Sequence, residues 1–136
     1  MTKSQRIVIV DDEKDVAMLT AKRLRALGYE TTCFFKGEGV IEAILSELPD
    51  LVVLDIVLPG MSGYDLFERL KARDDTRQIP VIFFSANPSN EIYCLKTLRA
   101  NGFVKKPYEG NALSAAIEAA LQNQKRDRSL HVPVPP

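Results

Sequence analysis

Two stretches of this chain, Ile7-Val8-Ile9-Val10 and Leu51-Val52-Val53-Leu54, are apolar without a break. A strand with one wet face alternates apolar and polar residues. An unbroken run needs cover on both faces, the situation of a parallel strand sandwiched between helices. The intervening sequence supplies those helices. Ala17, Ala21, Leu24 and Leu27 recur at helical spacing, and Gly28 follows as a stop. Thr31 to Phe35 reads as a second strand, and Val40, Ile41, Ile44, Leu45 and Leu48 as a second helical stripe ended by Pro49. Beyond the strand at Leu51 to Leu54 lies a turn-rich loop, Pro59-Gly60-Met61-Ser62-Gly63. Leu66, Phe67 and Leu70 mark a third helix that fades through Arg73-Asp74-Asp75. Val81 to Phe84 is a fourth strand, and Ile92, Leu95, Lys96 and Leu98 trace a weaker fourth helix. Gly102 to Val104 is a short fifth strand, after which Asn111 is placed to cap a fifth helix carrying Leu113, Ala116, Ile117, Ala120 and Leu121. Strict alternation over five units predicts an α/β fold with an open, doubly wound parallel sheet, and is too short for an eightfold barrel.

A length of 136 residues suits one domain, and 46% hydrophobic residues suffice for a packed core. The 18 basic and 18 acidic residues cancel. That balance argues against a broad basic face for nucleic acid, while a local basic patch stays open. No segment approaches the roughly 18 apolar residues of a membrane span, and the N-terminus carries no long apolar signal region. A soluble, cytoplasmic protein without membrane or nucleic-acid partners is expected. Cys33 and Cys94 have no metal-type spacing and are expected as reduced, partly buried thiols. The single histidine, His131, sits in a Pro-rich end, so neither a histidine base nor a zinc cluster is expected. After about Gln124 the composition changes to Lys125-Arg126-Asp127-Arg128 and Val132-Pro133-Val134-Pro135-Pro136. A domain over 1–124 and a flexible, charged and Pro-rich tail over 125–136 are expected.

The strand ends carry the chemistry. The first strand stops at Asp11-Asp12, the third at Asp55, the fourth at Ser85, and the fifth leads into Lys105-Lys106-Pro107. In an open parallel sheet ligands bind beyond the carboxyl ends of the strands, so these side chains meet in one pocket. Asp11 and Asp12 fit a helix cap as well as a ligand set, and Glu13 beside them fits the cap. Asp55 follows four apolar residues at the lip of the core, where unpaired charge is costly. Nearby carboxylates repel and raise one another's pKa values. A divalent cation relieves that conflict, and oxygen-only ligands favour Mg²⁺ or Mn²⁺ over zinc. Lys106 is a salt-bridge partner or a phosphoryl-oxygen ligand; Lys105 competes for the role, and strand alternation lets only one reach the pocket. Ser85 is a turn former or a donor to a phosphoryl oxygen. It lacks a Gly-x-Ser-x-Gly turn and a histidine partner, and no Walker or dinucleotide loop is present. An acid with a divalent cation and no activated Ser, Cys or His points to a carboxylate nucleophile that forms an acyl phosphate.

In order and separation, the motifs Ile7-Val8-Ile9-Val10-Asp11-Asp12-Glu13, Leu54-Asp55-Ile56-Val57-Leu58-Pro59-Gly60-Met61-Ser62-Gly63, Phe84-Ser85-Ala86 and Val104-Lys105-Lys106-Pro107 resemble the receiver domain of two-component response regulators. The resemblance covers about residues 5 to 123. It implies a flavodoxin-like sheet with strand order 2-1-3-4-5 and five helices. It implies that a histidine kinase or histidine phosphotransfer protein donates a phosphoryl group to Asp55. Asp12 is then the main acidic Mg²⁺ ligand, with Asp11 placing a water or second oxygen. Asp55 and the main-chain carbonyl of Val57 complete the protein ligands. Ser85 and Lys106 grip the phosphoryl oxygens, Lys106 being preferred to Lys105 because it directly precedes Pro107, across an expected cis bond. Ser85 and Phe103 form the switch. The protein is then no enzyme beyond its own phosphorylation and dephosphorylation.

Some residues depart from the family's pattern. Ser62 replaces an acid before Gly63, Arg99 and Asn101 replace a Gly-Ala-Asp flavour, and Phe103 lacks a tyrosine hydroxyl. Val57 and Asn87 are expected to influence dephosphorylation. The chain reads as a stand-alone receiver, or else a fragment or module of a larger chain, that signals by binding a partner protein or by passing the phosphoryl group on. A monomer or weak phosphorylation-dependent dimer is expected. Its expected contact face for a downstream protein is the fourth helix, fifth strand and fifth helix, with Tyr93, Lys96, Arg99, Phe103, Lys105 and Tyr108. Two other readings are weighed: a binding module active without phosphate, and a Mg²⁺-dependent phosphatase, for which Val57 stands in place of a second Asp.

Overall fold

In the computed structural model, which describes residues 4–108 and 110–130, the five apolar runs become parallel strands: β1 (Arg6–Val10), β2 (Glu30–Phe34), β3 (Leu51–Asp55), β4 (Val81–Ser85) and β5 (Gly102–Lys105). Their order is β2-β1-β3-β4-β5, the order expected from the resemblance. The chain steps one way from β1 to β2 and the other way from β1 to β3. That reversal opens a crevice at the carboxyl ends of β1 and β3.

Alternation along the strands sorts the core into two layers. Ile7, Ile9, Leu51, Val53, Ile82, Phe84 and Val104 face α1 (Lys14–Ala26) and the final helix, α4 (Ala112–Leu130). Val8, Val10, Val52, Leu54, Val81 and Phe83 face the opposite helices, α2 (Val40–Glu47) and α3 (Gly63–Lys71). The expected stripes do this packing: Ala17, Ala21 and Leu24 from α1, Ile44 from α2, Leu66 and Leu70 from α3, Leu113 and Ile117 from α4, all nearly or fully buried. Ser62 caps α3 by a reciprocal box with Asp65, at 3.1 and 3.3 Å, so its replacement of an acid leaves the loop capped.

The fourth helix differs from its sequence pattern. It is a π-helical segment, Tyr93–Thr97, in which Leu98 N donates to Tyr93 O at 3.0 Å. Within it Cys94 is fully buried, while Ile92, just before it and part of the stripe read from sequence, is 74% exposed. Tyr64 packs edge-on against both Phe83 and Tyr93 and pins this segment to the sheet. Arg99 follows with a φ of 57°, a left-handed conformation that places its Cβ against its own carbonyl. β2 begins one residue earlier than read, at Glu30, because Arg6 pairs with Glu30 in register and by a 3.0 Å ion pair. α4 runs to Leu130, past residue 124 where a tail was expected to begin; the first breaker after that point is Pro133. The remainder of that tail, 131–136, with His131, lies outside the described residues. Cys33 and Cys94 are free thiols, as expected.

Gly63 is fixed by close approach. A Cβ there would meet the carbonyl oxygen of Asp55 at 2.0 Å and Cα of Ile56 at 2.9 Å, and Gly63 N donates to Ile56 O at 2.7 Å. The start of α3 is thereby laced to the chain leaving β3. Gly63→Ala is expected to lower unfolding stability by about 3 kcal/mol through this clash, read as a fall in the urea midpoint. Arg99→Gly is expected to raise stability by about 1 kcal/mol, since glycine adopts the left-handed conformation without penalty; the same titration checks it.

Candidate functional site

Parity along the strands decides which polar side chains meet. Ile9, Val53, Ile82 and Val104 lie in one core layer, and counting two residues on from each gives Asp11, Asp55, Phe84 and Lys106. All four therefore project to the α1/α4 side of the sheet edge. Ser85 and Lys105, paired in register, have the opposite parity. This is the physical reason Lys106 enters the pocket, with 8% exposure, while Lys105 stays exposed. The Lys106–Pro107 bond is cis, as expected.

The Lys106 ammonium stands among three carboxylates: Asp11 Oδ2 at 2.6 Å, Asp55 Oδ2 at 3.0 Å and Glu13 Oε1 at 3.4 Å. Asp11 is wholly buried and Asp55 is 7% exposed. Burial pushes the Asp55 carboxyl above the ordinary carboxylate range; Lys106 opposes this by its hydrogen bond and charge, and the Asp11 charge adds to it. Burial works against the Lys106 ammonium, but its contacts with Asp11 and Asp55 outweigh it and raise its pKa. Lys106 is therefore a firmly charged group holding two buried acids together.

One positive charge does not balance this cluster. Asp11, Asp12, Glu13 and Asp55 each place a carboxylate oxygen so that all four atoms lie within 4.8 Å of one another. The buried Asp11 Oδ2 meets Lys106 outside hydrogen-bond geometry, and Asp12 is exposed at the mouth. Oxygen-only donors, an excess of negative charge and an open side fit a hard divalent cation such as Mg²⁺ or Mn²⁺.

The cap alternative for the acids is only partly realised. Glu13 occupies the N-cap of α1, yet its side chain makes no capping bond and faces Lys106 instead. Asp11 Oδ1 accepts from Glu13 N at 3.0 Å, which fixes the turn between β1 and α1. Val57 N donates to Asp55 Oδ1 at 3.3 Å while its side chain lies 74% exposed over the site. Ser85 is buried, and its hydroxyl accepts from Asn87 N at 3.1 Å and Asn90 Nδ2 at 3.4 Å. Among the described residues the hydroxyl makes no hydrogen bond to Asp55 or Lys106, so here it has its turn-forming role. Phe103 is half-buried and packs in the opposite core layer.

Sequence reasoning missed two neighbours. Glu13 was taken only as a cap, and Phe84 only as core. The Phe84 ring lies under the Lys106 ammonium, with Nζ 5.0 Å from its centroid. The signal was available in the parity of Phe84 with Asp55, to which it is paired across the strands. Beside Lys106 lies a cavity of about 440 Å³ walled by Val16, Leu19, Arg23, Phe84 and Tyr108.

Comparison with known proteins agrees with this architecture. The family model described as the response regulator receiver domain matches residues 7–118. The phosphate regulon transcriptional regulatory protein PhoB of Rhizobium meliloti (strain 1021) is 34% identical over 122 residues, which make up 88% of this chain and 53% of PhoB. The chain thus spans about half the length of that relative. The crystal structure of NtrX from Brucella abortus is similar over 94% of this chain and 30% of its own, with a TM-score of 0.83 and 31% identity. A CheY-like response regulator receiver domain protein from Methanospirillum hungatei JF-1 matches over 92% of this chain and 99% of its own, with a TM-score of 0.82 and 25% identity. With the matched region carrying all five strands and the acid–lysine pocket at their ends, this chain belongs to the response regulator receiver domain family.

Proposed function

We propose that this chain is a signalling switch that accepts a phosphoryl group on Asp55 from the phosphohistidine of a histidine kinase or histidine phosphotransfer protein. Membership of the receiver family supports phosphorylation-dependent signalling rather than the work of a conventional enzyme. The observation that carries the assignment to Asp55 is the buried ammonium of Lys106 at 3.0 Å from Asp55 Oδ2. An ammonium so placed neutralises charge on an incoming phosphoryl group beside Asp55, the last residue of the central strand β3.

The step needs little from the protein beyond alignment and charge. A carboxylate oxygen of Asp55 attacks phosphorus, the P–N bond breaks, and its electron pair leaves with the imidazole nitrogen. Asp55 attacks as a carboxylate and needs no general base; burial pushes its pKa up, and the hydrogen bond and charge of Lys106 oppose that push. As the P–O bond forms, the Lys106 ammonium turns from Asp55 to a phosphoryl oxygen. Ser85 supplies a second grip when its hydroxyl leaves Asn87 and Asn90. Asp11, Asp12, Asp55 and the Val57 carbonyl would hold Mg²⁺, with Glu13 a further carboxylate in reach. Bound there, Mg²⁺ would offset the acids' repulsion and the charge of the transferring group.

Release of Ser85 from its turn would loosen the 87–90 loop and, through it, the π-helical segment. Phe103 lies in the same core layer as Cys94 of that segment, so its packing responds to the same shift. A face built from the π-helical segment, β5 and α4 would carry the signal to a downstream protein. Tyr93, Lys96, Arg99 and Lys105 are exposed there, and Phe103 and Tyr108 are half-buried. Among the described residues no helix is long and apolar enough to cross a membrane.

Incubation with Mg²⁺ and acetyl phosphate, or with a phosphorylated histidine kinase, is expected to add one phosphoryl group by intact-mass measurement. Asp55→Asn is expected to take none. Lys106→Ala is expected to slow labelling about 100-fold, the usual effect of removing one preorganised charge-stabilising group. An unmodified wild type, or an Asp55→Asn variant labelled as fast as wild type, overturns the reading.

A further inference from the structure

We propose that Phe84 is a positioning residue for the phosphoryl-transfer site: its ring face holds the Lys106 ammonium in place, and it acts through that lysine rather than on the phosphoryl group. The inference rests on the function proposed above.

Among the described residues the ammonium meets the carboxylates of Asp11, Asp55 and Glu13 and the ring of Phe84, whose centroid is 5.0 Å from Nζ. The carboxylates are poor anchors during transfer. Asp55 gives up its oxygen to phosphorus. Asp11 belongs to the acid cluster that a divalent cation would occupy. Glu13 is the most distant of the three at 3.4 Å, and its side chain is 60% exposed. The ring alone keeps its hold through every stage, because its attraction comes from a fixed quadrupole that neither a cation nor a phosphoryl group consumes. Being neutral, it leaves the full charge of the ammonium for the phosphoryl oxygens. A fourth carboxylate in its place would compete for that charge.

The ring is itself firmly placed. Phe84 is 1% exposed, pairs across the strands with Asp55 on one side and Val104 on the other, and packs at 5.6 Å against Tyr108. Arg23 of α1 in turn lies 5.4 Å over the Tyr108 ring. The lysine is thus backed by an aromatic pair braced between β4, β5 and α1. The ammonium on its flexible stem thus meets a firmly held ring. Cation–π contacts are strongest where water is excluded, and Lys106 is 8% exposed.

The test measures the phosphorylation rate with Mg²⁺ and acetyl phosphate, alongside calorimetric titration of Mg²⁺ alone. Phe84→Leu is expected to slow labelling about tenfold, the effect of losing a desolvated cation–π contact. Phe84→Tyr, which keeps the ring, is expected to stay within about twofold of wild type. Replacement of Phe84 by 3,4,5-trifluorophenylalanine keeps the shape of the ring but strips its negative face. It is expected to slow labelling about as much as the leucine variant, with Mg²⁺ affinity unchanged within about twofold. A trifluoro variant as fast as wild type assigns Phe84 to packing only and overturns the proposal. So does parallel loss of Mg²⁺ affinity and rate, which marks a collapsed site. A wild type that takes no phosphoryl group fails the function itself and is distinguished from both.

Discussion

The contact on which the site depends is the ammonium of Lys106 between Asp11 and Asp55, at 2.6 and 3.0 Å. Two acids that are 0% and 7% exposed would repel each other across the reversal between β1 and β3. Lys106 arrives from β5, two strands away from β3, and closes the sheet edge electrically. Removing one partner of such a buried pair leaves an uncompensated charge, at a cost of about 3–5 kcal/mol. The backbone is arranged around this contact. Gly63 lets α3 start directly against Asp55, and the main-chain bond from Lys106 N to Ser85 O, at 2.8 Å, ties the end of β5 to the end of β4. The same pair is left deliberately short of positive charge, since Glu13 and Asp12 add acid without adding a base.

Period-two alternation made much of this legible from sequence. It sent Lys105 and Lys106 to opposite faces and required helices on both sides of the sheet, while the choice of Lys106 rested on the resemblance, through the Pro107 that follows it. What escaped had a specific physical cause in each case. Glu13 looks like a cap because caps are read from position alone, whereas its side chain answers to a lysine 93 residues away. Phe84 looks like core because apolar residues are read by burial, and the quadrupole of a ring is invisible to a hydrophobic pattern. The π winding of the fourth helix escaped because it is a main-chain feature, Leu98 N to Tyr93 O, that no side-chain pattern encodes; the stripe read from sequence also lacks the buried Cys94 and includes the exposed Ile92. β2 escaped by one residue because its register is set by pairing with Arg6 of β1, a partner remote in sequence.

The two faces of the sheet divide the work. The α1/α4 side holds the charged groups and the aromatic pair beneath them, and its helices are regular and well filled. The other side holds Phe103 and the π-helical segment, followed by the left-handed Arg99. A π turn and a non-glycine residue at φ 57° are both backbone states that persist only where surrounding packing enforces them. Both strained backbone states therefore lie on the face opposite the charge. Local rearrangement is drawn from the low-stability end of a structure. On the proposed reading, a phosphoryl group that recruits Ser85 removes a hydroxyl from the loop that feeds this segment. The face carrying Tyr93, Lys96 and Arg99 would then be the first part of the fold to respond, while the braced ring of Phe84 stays in place beneath the lysine as its ammonium turns to the phosphoryl group.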